Sequence, residues 1–106
     1  MNFKKSKYGN KRTVIDGKVF ASKKEAHHYL ILKSLSEAGA ITRLQVQTVF
    51  SFELNGKTLF KYLADFTYYD SAGKYHVVDV KGFRTPTYRL KKKLVEAFHG
   101  VIIEEV

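Results

Sequence analysis

Apolar and polar residues alternate along this chain in two distinct periods, and the changes of period mark the elements. Val14-Ile15 and Val19-Phe20 flank Asp16-Gly17, a favoured two-residue turn, so residues 13–20 are expected to form a hairpin. Residues 22–38 then read as a helix. Ser22 with Glu25 three residues later is a capping-box pattern, Ala26, Tyr29, Leu30, Leu35 and Ala38 give a broad apolar face, and Gly39 is the stop. From 41 to 54 the period falls to two. Leu44, Val46, Phe50, Phe52 and Leu54 share one parity, and Gln45, Gln47, Ser51 and Glu53 the other, which predicts one long strand.

Asn55-Gly56 turns the chain into a second strand over 58–69. A turn at 70–73 leads into a third strand over 74–81, and the three should form an antiparallel meander. Thr85 followed by Pro86 is a good helix start, so 87–99 is expected to be helical, with Leu90, Leu94, Ala97 and Phe98 as its buried stripe. Gly100 ends it, and residues 101–106 read as a last short strand. The order of hairpin, helix, three strands, helix and strand defines an α+β domain with a central sheet flanked by helices. Residues 13–106 form the single domain, and residues 1–12, with Lys4, Lys5, Lys7, Lys11 and Arg12 and no acid, form a basic N-terminal arm.

Charge changes this picture from a fold to a partner. The 106 residues carry a formal net charge of +9, which suits a polyanion, nucleic acid first and an anionic membrane second. Cysteine is absent, which excludes disulfides, thiolate zinc sites and a thiol nucleophile and fits a reducing cytoplasm. No apolar run approaches membrane-spanning length and no signal-peptide pattern opens the sequence, so a cytoplasmic protein without a membrane partner is expected.

Candidate chemistry gathers in the hairpin from 62 to 82. If its strands pair around the turn at 70–73, Asp65 comes close to Asp79, and Asp79 and Lys81 share a strand face. Two carboxylates suit a hard divalent cation such as magnesium. Asp65 lies inside the apolar segment Leu63-Ala64-Asp65-Phe66, where a lone charge would be costly and a metal or a lysine would offset that cost. The pattern by itself is weak: Asp16-Gly17-Lys18 matches it too and is most simply a turn. The plainer alternatives are an exposed Asp65 paired with a nearby lysine and a surface ion pair between Asp79 and Lys81. Glu25 is either a helix cap or an acid reaching the same spot from the helix start.

A resemblance adds to this reading. Asp16-Gly17 with Phe20, Ser22-Lys23-Lys24-Glu25-Ala26 with Tyr29, and Leu44 with Gln47 resemble a family of small phage and prophage proteins long classed as a domain of unknown function. So do Tyr62-Leu63-Ala64-Asp65-Phe66, Asp79-Val80-Lys81-Gly82, and Thr85 with Tyr88 and Lys91. That family is similar to the PD-(D/E)xK nucleases, the restriction-endonuclease-like fold. The resemblance implies that Asp65 is the first acidic position, Asp79 the second and Lys81 the lysine. Glu25 matches an acid on the first helix, and Gln47 lies where some members carry a site-lining glutamine. Ala64 stands where the motif name has proline, and Val78 removes an acid often found there. The implied chemistry is hydrolysis of DNA phosphodiesters with Mg2+ or Mn2+ held by Asp65, Asp79 and Glu25, with Lys81 orienting the attacking water or neutralising the phosphate.

Arg84, Arg89 and Lys91 to Lys93 are candidates for the path of the DNA backbone, and Tyr68, Tyr69, Tyr75 and Tyr88 for stacking on bases, although a solvated helix face and ordinary core aromatics are the plainer roles. The histidines are poor ligand candidates, because His76 has the opposite parity to Asp79 and His27 and His28 are neighbours on a helix. Small nucleases of this fold often cut branched DNA as dimers, so a homodimer acting on Holliday junctions in phage replication or recombination is the specific expectation. The competing reading is a non-catalytic module that binds DNA or RNA.

Overall fold

In the computed structural model, which describes residues 12–80 and 84–106, the Asp16-Gly17 pair turns the first hairpin with φ of 54° and 75°. It joins β1 (Thr13–Ile15) to β2 (Lys18–Phe20) in antiparallel register. Positive φ at both central positions is what such a turn requires, and aspartate and glycine tolerate it. Helix α1 (Lys23–Glu37) follows, and the Ser22 hydroxyl accepts the Glu25 N–H at 3.1 Å.

The helix buries Glu25, Ala26, Tyr29 and Leu32, whereas Leu30 and Leu35, expected inside, are 44% and 40% exposed. Leu30, Ile31, Leu32 and Leu35 are apolar on more than one side of the helix, so spacing alone allows two stripes. The sheet takes the one that joins Leu32 to the expected Ala26 and Tyr29, and leaves Leu30 and Leu35 outside.

Four strands make the main sheet in the order β3–β4–β5–β6. They are β3 (Ile41–Leu54), β4 (Lys57–Asp70), β5 (Tyr75–Asp79) and β6 (Ile103–Glu105). The first three form the antiparallel meander, and β6 pairs with β5 in parallel, so the sheet is mixed. The connection from β5 to β6 carries α2 (Pro86–His99), capped by the Thr85 hydroxyl on the Tyr88 N–H at 3.0 Å and ended by Gly100 in the left-handed conformation. The fold is therefore α+β: a mixed sheet and a smaller hairpin sheet flanked by two helices.

Each helix covers one face. Phe20, Ala26, Tyr29, Leu32, Ile41, Phe66 and Val78 form the core on the α1 side, and Phe50, Tyr62, Ala64, Val77, Val95 and Ile103 the core on the α2 side. Val95 is the buried residue of α2, while Leu90 and Phe98, expected inside, are 58% and 49% exposed. Lys91 and Lys92, four and three residues before Val95 on the helix, are half-buried. Long cationic side chains can cover apolar surface while their heads reach water, and a pattern search for leucines misses such a face.

One irregularity places the site. Val46 pairs with Phe66, and Thr48 with Ala64, so β3 and β4 stay in register through this stretch. Yet Val46 and Phe66 pack on the α1 side, while Ala64 packs on the α2 side and Thr48 Oγ1 lies 2.8 Å from Thr67 Oγ1. Residues two apart on a strand ordinarily share a face. The face therefore switches in both strands at the residues between, Gln47 and Asp65. Gln47 takes φ 57°, which accounts for the switch on its strand. The β4–β5 ladder ends at this level too, its last pair being Phe66 with Val78.

Candidate active site

Where the ladder ends, side chains take over from backbone. One further step in register sets Asp65 against Asp79. The Asp65 N–H donates to Asp79 Oδ1 at 3.0 Å, and the Val80 N–H donates to Asp65 Oδ2 at 2.7 Å. The two carboxylates thus tie the strands together where they diverge. Asp79 is fully buried and Asp65 half-buried. A buried carboxylate is tolerated when hydrogen bonds to its charged form replace water, as the Asp65 N–H does here.

On the α2 side, the Tyr88 hydroxyl donates to Glu105 Oε2 at 2.8 Å and lies 3.5 Å from Asp79 Oδ2. Arg84 Nε donates to Glu105 Oε1 at 2.7 Å. Glu105 stands opposite Asp79 in the parallel β5–β6 register. The Tyr88 hydroxyl foremost, and the Arg84 guanidinium after it, hold the Glu105 carboxyl below the usual carboxylate range against the opposing effect of burial. Burial first, then the bond to Glu105 and the charge of Asp79, push the Tyr88 phenol far above its ordinary value, so it stays a hydrogen-bond donor.

On the α1 side, Glu25 is 6% exposed, more deeply buried than a helix cap requires. His28, one turn further along, is held below the ordinary histidine range by burial and secondarily by His27, while the charge of Asp65 acts in the opposite direction. Its ring lies 5.6 Å from that of Phe66. Gln47, across β3 from Asp65, reaches the Val19 carbonyl with Nε2 at 3.5 Å.

The structure thus brings Asp65 and Asp79 together, with Gln47 on the adjoining strand and Glu25 on the helix covering that side. Among the described residues, no three histidine, aspartate or glutamate side chains come close enough to hold a metal by themselves. Lys81 and the arm lysines Lys4, Lys5, Lys7 and Lys11 lie outside the described residues. Of the cations expected to line a backbone path, Arg84 is committed to Glu105, Lys92 lies 3.6 Å from Glu96, and Lys91 sits 5.3 Å from the Phe60 ring centroid. Arg89 and Lys93 are exposed.

His76 is engaged elsewhere, between Asp70 and Glu104. Sequence reasoning missed Glu105 and the tie from Tyr88, because the parallel pairing of β6 brings them to Asp79 and no local pattern announces it. Two adjacent acids in a basic chain were the available signal.

A hard divalent cation suits this donor set. Carboxylate oxygens are its preferred ligands, and magnesium commonly takes one or two carboxylates and fills its other positions with water and substrate phosphate. Asp65 and Asp79 are the two carboxylates that could serve such an ion here.

The fold and the paired carboxylates define a small α+β domain with an acidic centre at the divergence of two strands. The chain belongs to the family described as "Protein of unknown function (DUF1064)", whose model matches residues 5–102. No curated protein and no solved structure matches it. Among the described residues, no helix is long and apolar enough to cross a membrane.

Proposed function

We propose that this chain is a metal-dependent deoxyribonuclease of the PD-(D/E)xK type that hydrolyses phosphodiester bonds. The observation that carries the reading is the mutual hold of Asp65 and Asp79, each carboxylate accepting a backbone N–H of the other strand at 3.0 and 2.7 Å. Those bonds fix both carboxylates without rotamer freedom, which is what a site that positions charge needs. Asp65 and Asp79 would hold Mg2+ or Mn2+, with Glu25 approaching from α1. When bound, the cation supplies Lewis-acid stabilisation of the phosphate and makes a water more acidic.

The protein's own part is positional. Tyr88 steadies the Asp79 side of the pair, Asp65 is locked by Val80, and Lys81, two residues beyond Asp79, supplies positive charge for the water or the phosphate. The net charge of +9 draws the polyanion in. A homodimer cutting branched DNA, such as a Holliday junction in phage recombination, is the specific form of this proposal.

A second reading has an observation of its own. The same two hydrogen bonds give Asp65 and Asp79 a purely structural use, closing a frayed ladder in a non-catalytic nucleic-acid-binding module. One experiment separates the readings: cleavage of labelled linear duplex, single strand, flap, four-way junction and RNA with magnesium, manganese or chelator. Metal-dependent cutting by the wild type that vanishes in Asp79→Asn supports the nuclease. Failure to cut any substrate, with binding equal in both proteins, supports the module.

A further inference from the structure

Between the β1–β2 hairpin and the switch point of β3 lies a cleft of about 710 Å³. Arg12, Lys18, Val19, Ala21, Val46 and Gln47 line it. Gln47 links the cleft to the site, since the flanking pairs Val46–Phe66 and Thr48–Ala64 set it at the level of Asp65 on β4. We propose that this cleft takes one unpaired nucleotide of a nucleic-acid strand, with its phosphate on Arg12 and Lys18 and its base against Val19, Ala21 and Val46. The inference rests on the nucleic-acid reading above and deepens it: the substrate is single-stranded, or opened, next to the bond that is cut.

Three observations support the assignment. A cleft of this volume falls in the range that holds a small ligand and is too small for a base-paired duplex. Its lining has the composition a nucleotide needs, with cations at the rim, small apolar side chains on the wall, and one carboxamide that can both donate to and accept from a base edge. The acid nearest Lys18 in sequence is already engaged, because Asp16 Oδ2 accepts Lys33 Nζ at 2.6 Å and the Tyr29 hydroxyl at 2.9 Å. Lys18, whose Nζ also lies 5.9 Å from the Tyr29 ring centroid, lines the cleft with no direct ion pair to an acid among the described residues.

Gln47 supplies an independent sign. It is a non-glycine residue in the interior of a strand with φ 57°. Such a conformation costs energy and tends to persist where it serves a site. Its side-chain hydrogen bond to the Val19 carbonyl is long at 3.5 Å, so the carboxamide at the cleft is only weakly held among the described residues.

The test is fluorescence anisotropy of a short labelled DNA, single-stranded or annealed to its complement, in chelator so that no chemistry proceeds. Wild type, Lys18→Glu, Gln47→Gly and Arg89→Glu are compared, each with its melting temperature. Glycine at 47 fits the positive φ, so that variant removes the carboxamide without straining the backbone. Arg89 lies on α2, across the sheet from the cleft. The wild type should bind the single strand more tightly than the duplex. Lys18→Glu should weaken single-strand binding roughly tenfold, since one phosphate contact is lost and a repulsion gained. Gln47→Gly should weaken it severalfold with the melting temperature kept, and Arg89→Glu should act less on the single strand than Lys18→Glu.

Single-strand affinity indifferent to both Lys18→Glu and Gln47→Gly, while wild type still binds DNA, overturns the cleft and leaves the nuclease reading standing. A wild type that binds no nucleic acid overturns both. Binding that depends on Lys18 and Gln47 in a protein that cuts nothing upholds the cleft and removes the nuclease.

Discussion

At the scale of single residues, Asp79 does two jobs that one substitution separates. Its Oδ1 accepts the Asp65 N–H in a fully buried setting, and its charge is what a cation would need. Asp79→Asn keeps an oxygen for the N–H and removes the charge, whereas Asp79→Ala leaves a buried donor unmet, at a cost of about 1–3 kcal/mol. Denaturant unfolding should therefore show the alanine variant clearly weakened and the asparagine variant close to wild type, while cleavage is lost in both. Equal activity in wild type and Asp79→Asn would reduce the pair to a strand clamp. His76 offers a second, independent check. Its Nε2 lies 2.8 Å from Asp70 Oδ2 and its Nδ1 2.6 Å from Glu104 Oε2. Asp70 foremost, and Glu104 after it, raise the His76 value against the opposing effect of burial, while His76 and the N–H groups of Lys74 and Ala72 lower that of Asp70. A raised histidine contributes its full stability below the unfolded value of about 6.5 and loses it as pH climbs through the folded value; the lowered Asp70 carboxylate loses its share as pH falls. The melting-temperature gap between wild type and His76→Gln should thus be widest in mildly acidic buffer and shrink as pH rises through the raised histidine value. A gap that widens with pH would contradict the ion pair.

At the scale of elements, the sequence was most informative where a local rule acts alone. Asp16-Gly17, Ser22 with Glu25, Thr85-Pro86 and Gly100 each mark a turn or helix end through their own backbone chemistry, and the structure has each of them. Strand β3 runs over Ile41–Leu54 as its two-residue period predicts, and Asp65 meets Asp79 because the tight turn between β4 and β5 fixes their register. What the sequence left hidden depends on partners distant along the chain. The helix α1 has two apolar stripes and only the sheet chooses between them. The parallel docking of β6 brings Glu105 to Asp79 from 26 positions away in register. The reversal of faces at Gln47 and Asp65 is invisible to a period count, because Ala64 and Phe66 are both buried, though on opposite sides. The choice of stripe on α1 can be measured. Leu32 is 3% exposed and Leu30 44%. Leu32→Ala should cost about 2–5 kcal/mol on unfolding, since it opens a cavity in the core. Leu30→Ala removes mostly solvent-facing surface and should cost about 1 kcal/mol or less. Comparable losses from the two substitutions would mean that the outer stripe is covered as well.

At the scale of the whole molecule, the net charge of +9 counts only where cations can reach phosphate. Some of the 19 lysines and arginines have an acid for a partner, with Lys33 on Asp16, Arg84 on Glu105 and Lys92 beside Glu96. Arg89 and Lys93 are four apart on α2, share its outer side and are exposed, whereas Lys18 opens on the cleft across the sheet. Lys18 and the Arg89–Lys93 pair thus lie on opposite sides of the sheet. On the proposed nuclease reading, the single-stranded part of a substrate would lie on the Lys18 side and its paired part on the α2 side. Salt dependence resolves the two, because each phosphate neutralised by a lysine or arginine contributes about 0.9 to the slope of log affinity against log salt on duplex and about 0.7 on a single strand. With a substrate that joins a duplex to a single-stranded tail, Lys18→Ala should flatten the slope by about 0.7, and Arg89→Ala with Lys93→Ala by up to about 1.8. Lys33→Ala should leave it nearly unchanged, because that charge is already met by Asp16 at 2.6 Å. If the α2 pair leaves the slope untouched while Lys18 moves it, the duplex lies elsewhere and the helix run is solvated charge. A slope moved equally by Lys33 and by Lys18 would mean that the charge acts as a diffuse cloud, without a path across the sheet.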